Sequence, residues 1–295
     1  MKSSFVNIKP TPLRVSTITA CASVSTEVDL SLFFERVPIA EDADTSETKQ
    51  RFRVVYASFS PPLEAGQMED EHAQQRVMMT RGDLPSYRSR CDRRRRPRLI
   101  FDNQVTLILM CDNGASSFCV NVKLFRNGRV QLTGAKEPQQ GLAAVEYVVG
   151  MLREISPCVV GDADALCVAN YQVCLINSDF KLGVEVRRNR LHALLTGSQG
   201  GMLTTFEPCI YPGVKINFFW NTTSDMTSQA GKCACTLPCT GRGRGDGNGD
   251  CRRVTIAVFE SGCVIITGAH TMEQLGAAYD FITGFIDANF TELVF

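Results

Sequence analysis

The sequence predicts an α+β protein built twice over. Three observations carry that prediction: an internal repeat at fixed spacing, a change of apolar periodicity inside each copy, and strand-like runs upstream of both copies. Residues 120–135 (VNVKLFRNGRVQLTGA) recur as residues 254–269 (VTIAVFESGCVIITGA), 134 positions later and without a gap. Carried through 120–155 against 254–289, the match holds 11 identities in 36 positions, where average composition would give about two.

Each copy opens with a β-branched run and a polar turn ending in Gly128 or Gly262, then a second β-branched run closing on Thr-Gly-Ala. That pattern reads as a hairpin, with glycine where the turn requires positive φ. Beyond it the apolar period changes from two to about 3.6. Leu142, Val145, Val148, Val149 and Leu152 mark the face of one amphipathic helix, and Leu275, Ala278, Tyr279, Ile282 and Ile286 that of the other. Upstream, 15–20 and 105–110 in the first half and 173–176 and 214–220 in the second read as strands. Short helices are expected at 30–34 and 189–195. Such a unit segregates its helices to one side of an antiparallel sheet.

The expected organisation is therefore a first repeat over 1–155, a linker over 156–170 and a second repeat over 171–295. Two stretches interrupt it: 40–98, read as mostly a surface insertion, and a Cys/Gly-rich insertion at about 221–251. Composition bounds the class. The apolar fraction is 44% and the charged fraction 21%, which is globular rather than disordered. Lys plus Arg and Asp plus Glu number 31 each, so any nucleic-acid partner must be read locally rather than from net charge. No run approaches the ~18 apolar residues of a membrane span, so no membrane partner is expected. The first ten residues lack a secretory pattern, so the thirteen cysteines are expected to be reduced. The patterns at Asn221 and Asn289 then carry no glycosylation.

Strand, Phe, turn glycine, then Thr-Gly-Ala and a helix, made twice, resembles the core domain of the TATA-box-binding proteins. The segment Glu207-Pro208-Cys209-Ile210-Tyr211-Pro212-Gly213 strengthens the resemblance, because the second family repeat carries Glu-Pro-x-x-aromatic-Pro-Gly before a strand. The insertion and 176–180 look closest to the divergent members found in large DNA viruses. The resemblance implies a saddle-shaped, curved antiparallel sheet with helices on its convex face. Its concave face would lie on the minor groove of A·T-rich double-stranded DNA. Its partners would be general transcription factors or the RNA polymerase machinery, and its place the nucleus or a viral replication compartment. Minor-groove binders of this kind insert apolar wedges between base steps. The resemblance implies that role for Phe125 and Phe259, for Tyr211, and for Phe101 when 101–103 is aligned with 211–213. Thr133 and Thr267 match positions that hydrogen-bond groove acceptors, Asn177 matches a base-contacting Asn, and Arg129 keeps a basic position. Lys123 and Gln131 stand where the family has apolar residues, and Cys263 where a lysine is usual.

Each of these readings has an alternative. Strand phenylalanines commonly pack in cores, and Thr133 and Thr267 are also candidate helix N-caps. With Lys123 and Gln131 in the sheet, the chain also reads as an interaction module that keeps the fold without the groove contacts. The arginines between 88 and 98 suit phosphates or a solvated run. Cys233, Cys235, Cys239 and Cys251 can complete a tetrahedral zinc shell, or remain free thiols in a glycine-rich loop. That loop lacks the Gly-Lys-Ser/Thr of a phosphate loop. His72, His192 and His270 are expected at the surface, and no acid/base pair, nucleophile elbow or nucleotide loop points to an enzyme.

Overall fold

In a computed structural model of the chain, residues 7–40, 52–61, 78–84, 103–112, 117–155, 159–197, 201–223 and 231–295 are described. They form two compact units. One is Ile18–Gln172; the other is Val173–Phe295 together with the N-terminal stretch up to Thr17. Among the described residues no helix is long and apolar enough to cross a membrane.

The first unit contains β1 (Arg14–Ser23), which enters it at Ile18, α1 (Leu30–Arg36), β2 (Phe52–Phe59), β3 (Met79–Gly82), β4 (Gln104–Asp112), β5 (Ser117–Phe125), β6 (Arg129–Ala135) and α2 (Pro138–Ile155). Its sheet runs β3-β2-β4-β5-β6-β1. The second contains β7 (Ala169–Lys181), α3 (Arg188–Thr196), β8 (Leu203–Glu207), β9 (Tyr211–Trp220), β10 (Arg252–Val258), β11 (Cys263–Ala269), α4 (Met272–Ala288) and α5 (Phe290–Leu293). Its sheet runs β7-β11-β10-β9-β8. With the edge strand β3 set aside, both units have one order, and every pairing within each is antiparallel.

The period-two pattern explains which way each strand faces. Val120, Val122 and Leu124 of β5 and Val254, Ile256 and Val258 of β10 are fully buried, and burial of each such side chain contributes about 1.5–3 kcal/mol. They pack beneath the apolar stripes of the long helices, where Val145, Val148 and Leu152 of α2 and Leu275, Ala278 and Ile282 of α4 are equally buried. Leu142 is half-buried, because the closest approach falls one residue earlier at Gly141, against the Tyr171 hydroxyl. Both helices start on the same device. The Gln140 side chain accepts from the Lys136 N–H at 2.9 Å, and that of Gln274 from the His270 N–H at 2.8 Å. In α4, Thr271 is the N-cap and accepts from the Gln274 N–H. Thr133 and Thr267 are therefore not helix caps. They lie inside β6 and β11, several residues before either helix begins.

Two expectations need correction. Residues 40–98 are not merely surface: 52–59 forms β2, whose Phe52, Val54, Ala57 and Phe59 are buried. β2 pairs with β4 as β8 pairs with β9, so it is part of the repeat itself. The 156–170 stretch is no free linker where it is described. Val160 bridges to Val28, and Asp162 N–H donates to Thr26 Oγ1 at 2.9 Å, which fastens it to the first unit. β9 ends at Trp220 and β10 begins at Arg252.

Candidate nucleic-acid interface

Each sheet buries one face under its helices and leaves the other half-exposed, and register puts equivalent residues of the two units in equivalent rows. One row reads Ile108, Asn121, Thr133 and Thr19 across β4-β5-β6-β1. Its counterpart reads Asn217, Thr255, Thr267 and Asn177 across β9-β10-β11-β7. Thr267 donates its hydroxyl to the Asn177 side-chain oxygen, so these two predicted residues are brought together. The first-unit counterpart of Asn177 is Thr19.

The next row separates the units chemically. In the second it runs Lys215, Ala257, Ile265 and Asp179, with Ile265 39% exposed. In the first it runs Thr106, Lys123, Gln131 and Cys21. The second face is apolar at its centre and the first polar, because Lys123 and Gln131 occupy the positions of Ala257 and Ile265.

At the end of the second face, Tyr211 and Phe259 pack against each other with ring centroids 5.6 Å apart and planes tilted by 58°. Both are half-exposed. Gly213 lies under the pair: a Cβ there would stand 2.9 Å from the Tyr211 ring and 3.2 Å from that of Phe259. Lys215 Nζ sits 4.1 Å from the Tyr211 ring centroid. Phe125 holds the equivalent place at the end of β5, half-exposed beside a hollow that Arg129, Gln131 and Cys21 also line. Arg129 is exposed at the start of β6, opposite Ser23. Phe101 and the arginines between 88 and 98 lie outside the described residues. The register pairs Ile108 with Asn121 as it pairs Asn217 with Thr255, which offsets the repeats by one residue from the alignment of Phe101 with Tyr211.

Sequence reasoning missed Arg188. From the first turn of α3 its Nη1 donates to the Pro212 carbonyl at 2.5 Å and its Nε to Glu260 Oε2 at 3.0 Å. Its guanidinium lies over Phe206, 5.5 Å from the centroid. Pro212 adjoins Tyr211 and Glu260 adjoins Phe259, so this one forked cation ties together both turns that carry the paired rings. Arg188→Ala is expected to loosen the pair and destabilise the second unit by about 1 kcal/mol, the worth of charge-assisted bonds discounted for solvent screening. Calorimetry measures it; an unchanged Tm would show that the rings hold themselves.

Away from the faces, Cys233, Cys235, Cys239 and Cys251 bring their sulfurs within 4.8 Å of one another. Cys235 and Cys251 are 3.3 Å apart and Cys251 and Cys233 3.8 Å. A tetrahedron of sulfurs at the zinc–thiolate bond length has edges of about 3.8 Å, whereas a disulfide needs about 2.05 Å. The geometry fits a four-thiolate metal centre. The backbone N–H of Gly249, with help from Cys251, lowers the Cys235 thiol to about 7, while burial pushes Cys233 and Cys251 up. Asn221 is buried and donates to Cys251 Sγ at 3.5 Å; its glycosylation-like pattern concealed this place beside the sulfurs. His192 and His270 are half-buried rather than at the surface. Thr204 Oγ1 lies 2.7 Å from His192 Nδ1, and burial, then Arg252, lowers the His270 pKa.

No family model matches the chain. It is 24% identical over 286 residues to a "TATA-box-binding protein-like" protein of Acanthamoeba polyphaga mimivirus, a match spanning 92% of this chain and 64% of that protein. The chain thus spans a little under two thirds of that relative's length. Among solved structures it is similar to Methanococcus jannaschii TBP, with a TM-score of 0.45 and 15% identity, over 94% of this chain and 99% of that one. The chain thus makes one strand order twice, with helices on one face of each sheet, and over most of its length it is similar to that TATA-box-binding-protein-like protein.

Proposed function

We propose that the chain is a non-enzymatic transcription initiation factor that binds A·T-rich duplex DNA through the minor groove and bends it. The observation that supports this most directly is the Tyr211–Phe259 pair, half-exposed at the end of an open, apolar-centred sheet face. Rings so placed can enter a base step, and the cost of unstacking, about a few kcal/mol per step, is offset by the surface that a bent duplex covers. Thr133 and Asn177 offer a hydroxyl and an amide donor to a groove floor on which A·T pairs present only acceptors, and Thr267, whose hydroxyl donates to the Asn177 oxygen, orients that amide. The helical faces are left for general transcription factors or polymerase, in the nucleus or a viral replication compartment. The four thiolates fill every position of a tetrahedron, which suits a structural zinc rather than a catalytic one.

Fluorescence-detected bending of A·T-rich and G·C-rich duplexes tests this reading, with bending of the first alone expected. The polar first row, Lys123 beside Gln131, favours a second reading: an interaction module that keeps the fold but does not bend DNA. Absence of binding at low salt would select it. Phosphate contacts can be counted separately. Arg129→Ala is expected to flatten the salt dependence of affinity by about 0.9 in the log–log slope, and Cys263→Lys to steepen it by about as much. Identical slopes would place neither position at the backbone.

A further inference from the structure

We propose that residues 231–251 are a metal-closed clasp: a zinc ion on Cys233, Cys235, Cys239 and Cys251 seats this loop against Trp220 and the first turn of α4. The proposal rests on reading the cluster as a zinc site and adds what occupancy of that site controls.

The loop has little apolar burial of its own; backbone bonds attach Gly231 to Phe219, Gly241 to Arg253 and Gly243 to Cys251, and the 233–239 turn lies outside them. Its one large apolar side chain, Leu237, is 58% exposed, and Gly231, Gly241, Gly245, Gly247 and Gly249 all have positive φ. A chain so rich in glycine loses much conformational freedom on ordering. Its internal polar bonds are local: Asp250 Oδ2 accepts from the N–H groups of Arg244, Gly245 and Asp246, and Asn248 Oδ1 from those of Thr236 and Leu237. Apart from Asn248, which also donates from Nδ2 to Thr236 Oγ1 at 2.6 Å, the sulfurs tie the 233–239 turn to Cys251, the residue that leads into β10.

What the loop covers is specific. Gly245 lies flat on the indole of Trp220, with no room for a Cβ; Trp220 is the single tryptophan of the chain and is 7% exposed. Thr222 N–H donates to the Gly245 carbonyl at 2.8 Å. Asn221 Nδ2, which also reaches Cys251 Sγ, donates to the Gly247 carbonyl at 2.6 Å. Gln274, in the first turn of α4, donates from Nε2 to the Arg244 carbonyl at 2.9 Å. Four soft thiolates in a closed shell select zinc over oxygen-seeking cations, and each ligating thiol gives up its proton to solvent. Removing the ion leaves the 233–239 turn joined to this segment by Asn248, and the cover over Trp220 loosens with it.

The single tryptophan makes this measurable on the full chain. Elemental analysis is expected to find one zinc per chain, and cobalt exchange to give the intense visible absorption of a tetrahedral thiolate site. Chelation is expected to shift Trp220 emission to the red and raise its acrylamide quenching several-fold while the far-UV spectrum holds, with recovery on adding Zn²⁺. Cys235→Ser should show the chelated spectrum at the outset, and Trp220→Phe should silence the signal. No bound metal would overturn both the zinc reading and the clasp. Metal bound with Trp220 emission indifferent to its removal would overturn the clasp and leave the zinc reading standing. Loss of the far-UV signal on chelation would overturn it too, by showing that the ion holds the whole unit rather than this loop. Iron in place of zinc would overturn the choice of ion.

Discussion

Replacing Phe125 and Phe259 together by alanine is expected to abolish bending of an A·T-rich duplex while the protein remains folded. Each ring sits half-exposed where its strand runs into the turn, so truncation creates none of the sealed cavity that makes a core Phe→Ala cost about 3–5 kcal/mol. What is lost is the wedge. A base–aromatic contact is worth about 1–3 kcal/mol, so each single variant should weaken binding by about ten- to a hundred-fold. The two should not be equal. Phe259 packs on Tyr211 beside Ala257 and Ile265, whereas Phe125 has Lys123 and Gln131 for neighbours. Phe259→Ala also strips Tyr211 of a ring contact worth about 0.5–1.5 kcal/mol and is expected to be the more damaging. A double variant that bends DNA like the parent chain would dispose of insertion as the mechanism.

Gly262→Ala should destabilise the second unit by about 2–4 kcal/mol, and Gly128→Ala the first by a similar amount. At both positions φ is left-handed, +73° and +75°, which costs an L-residue roughly 1–2 kcal/mol. A Cβ would also drive into a backbone carbonyl oxygen, that of Val184 at Gly262 and of Thr26 at Gly128. The two segments cannot part cheaply at either site, because the Gly262 carbonyl accepts from Leu182 N–H at 2.9 Å and the Gly128 carbonyl from Val24 N–H at 2.8 Å. Such close-packed insertions typically add about 1–3 kcal/mol. Calorimetry should show Tm lower by roughly 5–15 °C. Gly276→Ala, in α4 where a Cβ meets nothing within 4 Å, is the control and should leave Tm unchanged or raised. Equal melting of all three variants would mean that the turns do not require glycine.

The hairpins, the long helices and the short ones were legible in the amino-acid sequence because each carries its own period. β2 was not read, although Phe52, Val54 and Tyr56 alternate as a strand should. It sits among acidic and polar residues, and its partner β4 lies about fifty residues on, so nothing local shows that it is paired. Asn177 was linked to the groove by resemblance, but its bond to Thr267 joins strands far apart in the chain. Arg188 was invisible for the same reason: Pro212 and Glu260 come to it only when α3, the β8–β9 turn and the β10–β11 turn meet.

The sequence by itself determined that one sheet-and-helix unit occurs twice, with glycine at each turn, an aromatic before it and four cysteines in a single insertion. Local periodicity and turn stereochemistry are written residue by residue and need no partner. Tertiary structure alone decided that Tyr211 packs on Phe259, that Lys123 and Gln131 make one face polar while Ala257 and Ile265 keep the other apolar, and that four sulfurs converge beside Trp220. Those facts depend on the register between strands distant in sequence, and register is set by burying one face of each sheet under its helices.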